Sequence, residues 1–299
     1  MKITITGSLG HISKPLTENL IRQGHEVTLI SSNPDKKAEI TTLGANPTIG
    51  SLEDLKFLTH AFTEAEAVYT MVPPNNYFDH SLDLLAYYRR LGGNYARAIA
   101  QSGVKRVVNL STIGAHLEQG SGILIGAHDI EHMLNDLSPE IAITHMRPTS
   151  FYYNLYGYLD MIKTEGLIAV NYGAEALIPW VSPTDIAAAI AEEIATPLVG
   201  RKIRYVASEE LTGNEVARIL GAAIEKPDLS WVIVSDEQTQ QDLEAIGMNP
   251  NIAAGLVEMY ASLHNGLLSE DYYRNRPAVM GKIKMSDFAV EFAAVFHQK

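Results

Sequence analysis

Cysteine is absent from the 299 residues of this chain. Its absence excludes disulfide bonds, a cysteine nucleophile and a cysteine-ligated zinc ion. Long apolar runs are missing as well, because no stretch approaches the roughly 18 residues that a transmembrane helix needs. The first residues already have the pattern of a β-strand and not of a signal peptide. We therefore expect a cytoplasmic protein with no membrane contact.

Positive charge is in short supply. The chain has 23 Lys and Arg residues against 35 Asp and Glu residues, for a formal net charge of −12 at pH 7. This balance argues against nucleic acid or an anionic membrane as the main partner. Hydrophobic residues make up 46% of the chain, which is enough to bury the core of one large domain or two modest ones.

The most informative feature present is a β-branched strand that runs directly into two glycines, Gly7 and Gly10, and then into a helical pattern. Gly7 permits a tight turn, and Gly10 lets the backbone approach a phosphate group without a Cβ in the way. The helix N-terminus then offers free N–H groups to an anion. We predict a dinucleotide cradle in which Leu9, His11 and Ile12 also contact the cofactor. The alternative is a glycine turn in another kind of α/β protein.

Strands and helices alternate regularly through the first half of the sequence. The patterns predict strands at 26–30, 67–72, 107–111, 141–146 and 204–208, a helix at 78–102, and mostly helix after about residue 211. The fold class that follows is α/β: a Rossmann-type doubly wound parallel sheet with a smaller, mostly helical C-terminal substrate domain. We expect residues 1–150, joined by 181–208, to form the NAD(P)-binding domain. The remaining residues, 151–180 and 209–299, are expected to form a lid.

The end of the second predicted strand bears on the choice of nicotinamide cofactor. NAD-preferring folds place an acidic residue there to bind the ribose 2′-hydroxyl. This chain has Ser31, Ser32 and Asn33, with no acid before Asp35 and with lysines directly after it. Such surroundings tolerate a 2′-phosphate, so we predict NADP(H) in preference to NAD(H). The alternative is that these residues, Ser31 above all, simply form a turn.

Five stretches in order along the chain resemble the NmrA-like atypical short-chain dehydrogenase/reductase family. They are residues 6–10, 104–112, 128–134, 144–154 and 181–187. Within the family, the similarity is strongest to the NAD(P)H:quinone oxidoreductase type 2 branch. The resemblance implies an NADPH-dependent reductase of a planar, electron-poor acceptor such as a quinone. It equally allows an NADP(H)-sensing regulatory protein without turnover, because some family members act in that way.

The usual catalytic pair of short-chain dehydrogenases is missing. In those enzymes a Tyr-x-x-x-Lys motif supplies the proton, since lysine lowers the pKa of the tyrosine. None of the 14 tyrosines here has lysine four residues later. Ser111 and His128 are the catalytic candidates that the resemblance leaves, and Ser111 could also orient the cofactor. The alternative is that Ser111 is a strand-end residue that caps a loop, and that His128 is an exposed residue at a helix start.

Aromatic residues are concentrated after the strand at 141–146. We predict that Tyr152 and Tyr153 from this segment, with Tyr77, form an apolar wall for a planar substrate. The alternative is packing between sheet and lid. Two further sets of residues follow strands at the same edge and are expected to contact the cofactor: Val72 with Pro73, and Ser111 with Pro148.

One motif matches a metal-binding pattern, but we do not expect it to bind a metal. His128, Glu131 and His132 match the zinc-protease pattern H-x-x-E-H. Zinc would need a third ligand and a different fold, so no metal site is predicted. The sequence offers no prediction of the oligomeric state.

Overall fold

The computed structural model describes residues 1–197 and 199–298. Its main element is a seven-stranded parallel sheet with strand order β10-β6-β5-β4-β1-β2-β3. These strands are β1 (Lys2–Ile5), β2 (Glu26–Ser31), β3 (Asn46–Ile49), β4 (Ala67–Thr70), β5 (Arg106–Leu110), β6 (Ala142–Pro148) and β10 (Arg201–Val206). All of the inter-strand pairs in this sheet are parallel. Parallel strands must be joined by crossovers, and helices supply most of them.

Helices cover both faces of the sheet. The α-helices of this part of the chain are α1 (Ser13–Arg22), α2 (Lys37–Thr42), α3 (Leu55–Phe62), α4 (Leu84–Ser102), α5 (Ile125–Asn135) and α7 (Pro183–Ala195). On one face, the buried apolar side chains of α1 and α7 pack on β1 and β2. On the other face, α3, α4 and α5 pack on β4, β5 and β6. The predicted doubly wound Rossmann-type fold is thus confirmed.

The strand order reverses between β1 and β4, which lie side by side at the centre of the sheet. Strands β2 and β3 extend from β1 in one direction, whereas β5, β6 and β10 extend from β4 in the other. Loops leaving adjacent strands at such a reversal part to opposite faces and open a crevice at the carboxyl ends. The candidate site is therefore positioned by topology, beyond Ile5 and Thr70.

The second half of the chain adds a smaller, largely helical region. It contains β7 (Ser150–Phe151), β8 (Leu167–Val170), β9 (Leu177–Val181), β11 (Glu209–Thr212), β12 (Ser230–Ile233), a 3₁₀ segment (Tyr152–Tyr158), and the helices α6 (Leu159–Glu165), α8 (Gly213–Ala223), α9 (Asp236–Ala245), α10 (Pro250–His264), α11 (Glu270–Arg274) and α12 (Met285–Phe296). Its hydrophobic core includes the buried side chains of Trp180, Trp231, Phe288 and Phe292. No helix among the described residues is long and apolar enough to cross a membrane. The division into two domains stays a prediction.

The predicted helix at 78–102 was wrong at its N-terminal end. Helix α4 begins at Leu84, because the Asp83 side chain accepts a hydrogen bond from the Ala86 amide at 2.9 Å and caps it. The residues before it form side-chain turns instead. Asp79, for example, accepts hydrogen bonds from both the amide and the hydroxyl of Ser81. Such local bonds compete with helix formation.

Strand β12 lies within the region after residue 211 that was predicted as mostly helix, and β11 lies across the start of that region. Strand β11 pairs antiparallel with β9, and β12 pairs parallel with β8. Both pairings join segments tens of residues apart, so local periodicity could not reveal them. The strands predicted for the sheet were correct in place, with ends that differ by at most three residues.

Candidate active site

The turn between β1 and α1 has a backbone that only glycine can adopt at Gly7. Its φ is +91°, and an added Cβ would lie 2.5 Å from the Ser13 Oγ and 2.9 Å from the Met71 Sδ. Ser13, which stands where the usual fingerprint has a third glycine, is buried and donates its hydroxyl to the Thr6 carbonyl at 2.9 Å. The serine therefore ties the start of the helix to the end of the strand.

Backbone N–H groups of this turn are free to bind an anion. The Gly10 amide donates to the Gly7 carbonyl at 3.2 Å, whereas the amides of Leu9, His11 and Ile12 have no hydrogen-bond acceptor among the described residues. No side chain caps α1 either. Free amides at a helix N-terminus form a ready anion site, so the turn fits the pyrophosphate of a dinucleotide. The Ile12 side chain is buried in the core and can contribute only its backbone.

Hydroxyl groups and lysines lie at the end of β2. The Ser8 hydroxyl donates to Ser31 Oγ at 2.9 Å, and Ser31 Oγ in turn donates to the Asn33 carbonyl at 3.3 Å. Ser31 is buried, whereas Ser32 and Asn33 are exposed. After this turn, two ammonium groups meet at one carboxylate: Lys36 pairs with Glu39 at 3.2 Å, and Lys14 pairs with it at 3.7 Å. Lys14 and Glu39 were not singled out from the sequence, since they come from other elements.

The loops after β4 and β6 form the other side of the crevice. Tyr95 donates its hydroxyl to the Met71 carbonyl at 2.6 Å, which holds the start of the loop containing Val72 and Pro73. Both of these residues are partly buried. Pro148 is buried, and its carbonyl accepts a hydrogen bond from the Ile113 amide at 2.8 Å. These contacts fix the edge at which the predicted cofactor residues lie.

Tyr77 lies farther along the loop after β4. Its carbonyl accepts a hydrogen bond from the Asn249 amide at 2.9 Å, and burial raises the pKa of its phenol. The loop is thus pinned to the residues that precede α10.

Ser111 sits directly after β5, with 7% of its surface exposed. Its hydroxyl donates to Glu131 Oε1 of α5 at 2.5 Å. Arg147 holds the same carboxylate with two bonds, from Nε to Oε1 at 2.9 Å and from Nη2 to Oε2 at 2.6 Å. Burial lowers the pKa of Arg147, but the hydrogen bonds that it donates to Glu131 outweigh this effect, and the pKa is raised on balance. The sequence did not predict the buried hydrogen-bonded group of Ser111, Glu131 and Arg147. Nothing in the local pattern around Glu131 or Arg147 marks them as partners.

His128 faces the loop after β5. Its Nδ1 lies 3.0 Å from the Ala115 carbonyl, which can only accept, so Nδ1 carries the proton and Nε2 remains available. Its ring also lies 4.1 Å from that of His132. Glu131, the acid of the H-x-x-E-H pattern, is instead occupied by Arg147 and Ser111. No group of three or more His, Cys, Asp or Glu side chains among the described residues could hold a metal ion.

The loop after β5 itself contains a histidine, His116, that was not predicted as a site residue. Both ring nitrogens of His116 are buried and have no hydrogen-bond partner among the described residues. Burial lowers the pKa of His116.

The aromatic segment divides between surface and core. Tyr153 is 43% exposed, and its ring centroid lies 4.0 Å from that of His11 in the glycine turn. Tyr156 packs edge-on to Tyr153 at 5.4 Å. Tyr152 is fully buried, with its ring stacked 5.5 Å from Phe288. Tyr153 therefore borders the crevice, whereas Tyr152 contributes to packing and its predicted contact with a substrate gains no support from the structure.

A family model described as the NmrA-like family matches residues 1–270. The chain belongs to this family. The predicted resemblance is thereby confirmed. Family membership does not by itself assign a site, which must be argued from this chain's own residues.

Relatives of this NmrA-like protein include several reductases. The "NAD(P)H azoreductase" of Xenophilus azovorans is 25% identical over 98% of this chain and 99% of that protein. The structure of an NADPH-dependent quinone oxidoreductase from Escherichia coli with NADPH matches with a TM-score of 0.80 and 18% identity, covering 97% of this chain and 99% of that one. The triphenylmethane reductase of Citrobacter sp. with NADP(H) gives a TM-score of 0.76 and 17% identity, covering 98% and 100%. At these identities the solved structures show a shared fold.

Proposed function

We propose that this NmrA-like protein is an NADPH-dependent reductase of a small, planar, electron-poor acceptor. The observation that carries the proposal is the set of free amides at Leu9, His11 and Ile12, placed where the strand order reverses. When bound, the reduced nicotinamide supplies the hydride. The names of the relatives, which include azo, quinone and triphenylmethane reductases, support this class of chemistry.

The chain's own residues hold the cofactor at two points. The free amides bind the pyrophosphate, since the helix N-terminus also favours negative charge. We assign Ser32 and Asn33 to the 2′ position of the adenosine ribose, and Lys14 and Lys36, which meet at Glu39, supply positive charge to that region. These neutral and positive groups favour the 2′-phosphate of NADPH over the 2′-hydroxyl of NADH.

An electron-poor planar acceptor fits the crevice for two reasons. Tyr153 and His11 present aromatic surface at its border, against which a flat ring can stack. The reduced product of such an acceptor can take its protons from water, so no tyrosine–lysine pair is required. A carbonyl substrate that needs a positioned acid is a poorer match to these residues.

A regulatory role without turnover is the second candidate. It is favoured by the hydroxyl of Ser111, whose proton is directed at Glu131 and away from a ligand. Binding of NADP(H) would then alter the protein's contacts with a partner. The two functions share the cofactor site and differ only in turnover.

Calorimetry with NADPH and NADH tests the cofactor site. We expect the Gly10→Val variant to lose NADPH binding, because its side chain would fill the space above the free amides. Gly93→Val is the matched control, since a Cβ at Gly93 in α4 meets no atom within 4 Å. Equal affinity of the wild type and Gly10→Val for NADPH would refute the proposed site.

Steady-state NADPH oxidation separates the two functions. Quinones, azo dyes and triphenylmethane dyes would be supplied in turn to the wild-type protein. We expect turnover with at least one of these planar acceptors. Tight NADPH binding without oxidation by any of them would favour the regulatory role.

A further inference from the structure

The polarity of the Ser111 hydroxyl is fixed by its surroundings. Its one proton is given to Glu131 at 2.5 Å, and no described residue donates a hydrogen bond to its oxygen. A hydroxyl has one donor and two acceptor positions, so its acceptor positions are free. Ser111 thus faces any ligand at the end of β5 as an acceptor.

Glu131 cannot reverse this arrangement. An arginine guanidinium stays protonated in proteins, and Arg147 places one N–H on each oxygen of the carboxylate. Both carboxylate oxygens therefore accept hydrogen bonds from Arg147, and Ser111 is the donor in its bond to Oε1. Arg147 is itself held in place, because its Nη1 donates to Asp271 Oδ2 at 2.9 Å and to the Tyr205 hydroxyl at 3.3 Å.

The location of Ser111 decides which ligand atom it can serve. It follows β5, one of the strands whose carboxyl ends border the crevice, and it is not fully buried. A quinone or ketone oxygen is an acceptor and gains nothing from a second acceptor. The carboxamide NH₂ of a nicotinamide is a donor and matches it.

We propose that Ser111 accepts a hydrogen bond from the carboxamide NH₂ of the bound nicotinamide, and that Glu131 is a positioning residue that imposes this polarity. The inference rests on the proposed function, since it needs the nicotinamide to lie in the crevice. It assigns Ser111 to cofactor orientation and removes it as a proton donor. Holding the carboxamide restricts rotation of the nicotinamide ring and so keeps the hydride directed at one side of the site.

Cofactor analogues test this contact directly. Binding of NADPH would be compared with that of reduced 3-acetylpyridine adenine dinucleotide phosphate, in which a methyl group replaces the NH₂. Ser111→Ala is expected to weaken NADPH binding by about three- to tenfold, the range for one hydrogen bond, and to leave the affinity for the analogue unchanged. The reduced thionicotinamide cofactor keeps its NH₂ and should show the loss.

Ser121→Ala is the matched control. Ser121 is also a buried serine, but its hydroxyl has no partner among the described residues. Its replacement is expected to leave the ratio of the two affinities at the wild-type value. A change in that ratio in Ser121→Ala would mean that the assay reports general loss of packing.

A second variant tests the role of Glu131. In Glu131→Gln, an NH₂ at the position of Oε1 faces both Ser111 and the Nε–H of Arg147, while the amide oxygen keeps the bond from Nη2. In that orientation Ser111 has lost its acceptor, so the serine hydroxyl turns toward the ligand and opposes the carboxamide donor. We expect weaker NADPH binding than in Ser111→Ala, with the analogue again spared. Adding Ser111→Ala to this variant should relieve part of the loss. If Glu131→Gln does not fold, the affinities of Ser111→Ala for NADPH and for the acetylpyridine analogue still test the contact.

Three results would overturn the inference. An equal loss of affinity for NADPH and the analogue in Ser111→Ala would show a purely structural role. A loss of hydride transfer of a hundredfold or more, with one limb of the pH profile removed, would show a proton donor. Unchanged affinity for NADPH would show no contact. If the wild type binds no dinucleotide at all, it is the proposed function that fails, so the two failures are distinguishable.

Discussion

Under the proposed function, the choice between two cofactors that differ by one phosphate depends on single residues. The proposed 2′ region consists of exposed Ser32 and Asn33, with positive charge from Lys14 and Lys36, both paired with Glu39. These ion pairs are exposed, so they contribute little to stability. They matter for cofactor binding, because a 2′-phosphate would have to compete with Glu39 for the two lysines.

Ser32→Asp is expected to weaken NADPH binding about tenfold, because a carboxylate near the 2′-phosphate costs on the order of 1 kcal/mol or more in exposed surroundings. Binding of NADH should be retained or improved, since the new acid can accept from the 2′-hydroxyl. Calorimetry with both cofactors measures the ratio. Thr63→Asp adds the same charge at the end of α3, before β4 begins and therefore at the amino-terminal ends of the strands. It should leave the ratio of the NADPH and NADH affinities unchanged. A ratio that Ser32→Asp does not move would place Ser32 away from the 2′ position.

Glu39→Gln should strengthen NADPH binding by about two- to fivefold, because it frees both lysines from an exposed pair worth a few tenths to 1 kcal/mol. Binding of NADH should not change, and the gain should shrink at high salt. The measurement is the dissociation constant of each cofactor at two ionic strengths. Glu140→Gln, which likewise frees a lysine (Lys105) from an exposed ion pair but precedes β6, serves as the control. An equal gain for NADH would contradict the idea that the lysines bind the phosphate.

At the scale of elements, the sequence indicated the parallel strands well, and the ends of helices less well. Strands such as β1 and β5 are short apolar runs that have no other stable place than a buried sheet. The start of α4 was misplaced because the apolar residues from 78 onward suggested continuity, while the decisive signal was one carboxylate at Asp83. Strand β11 and the Glu131–Arg147 pair depend on contacts between distant segments, which a local pattern does not encode.

The cap of α4 is testable by itself. Asp83→Ala is expected to destabilise the protein by about 1 kcal/mol, because the Ala86 amide loses its acceptor at the start of a long helix. Asp83→Asn keeps a capping oxygen and should restore most of the stability. Urea unfolding, with the slope compared between variants, gives the free energies. Equal destabilisation by Ala and Asn would show that charge, and not capping, matters at this position.

On the scale of the whole molecule, buried polar groups link the parts of the fold. Arg147 of β6 and Tyr205 of β10 both donate to Asp271 of α11, at 2.9 and 2.6 Å. The same arginine holds Glu131 of α5. Removing one partner of such a buried pair typically costs several kcal/mol, because an uncompensated charge is left behind. The candidate site and the stability of the molecule therefore depend on the same side chains.

Buried His145 of β6 makes the stability of the fold depend on pH. The Asn109 amide donates to its Nδ1 at 3.3 Å, and its Nε2 donates to Asn135 Oδ1 at 3.1 Å. These partners satisfy a neutral ring, whereas a proton on Nδ1 would face the Asn109 amide donor. Burial lowers the pKa of His145 to about 4.

In the unfolded chain a histidine has a pKa of about 6.5, so between about pH 4 and 6.5 the unfolded state binds more protons than the folded state at this residue. Stability must therefore rise with pH across this window, by about 3 kcal/mol in total from His145 alone. Urea unfolding at intervals between pH 4 and 7 measures the slope. His145→Gln should flatten it, because no proton is taken up at that position in either state, whereas replacement of the exposed His264 by Gln should leave the slope nearly unchanged. If the wild type and His145→Gln lose stability in parallel as the pH falls, His145 is not the group that couples folding to protons, and the carboxylates carry the acid sensitivity instead.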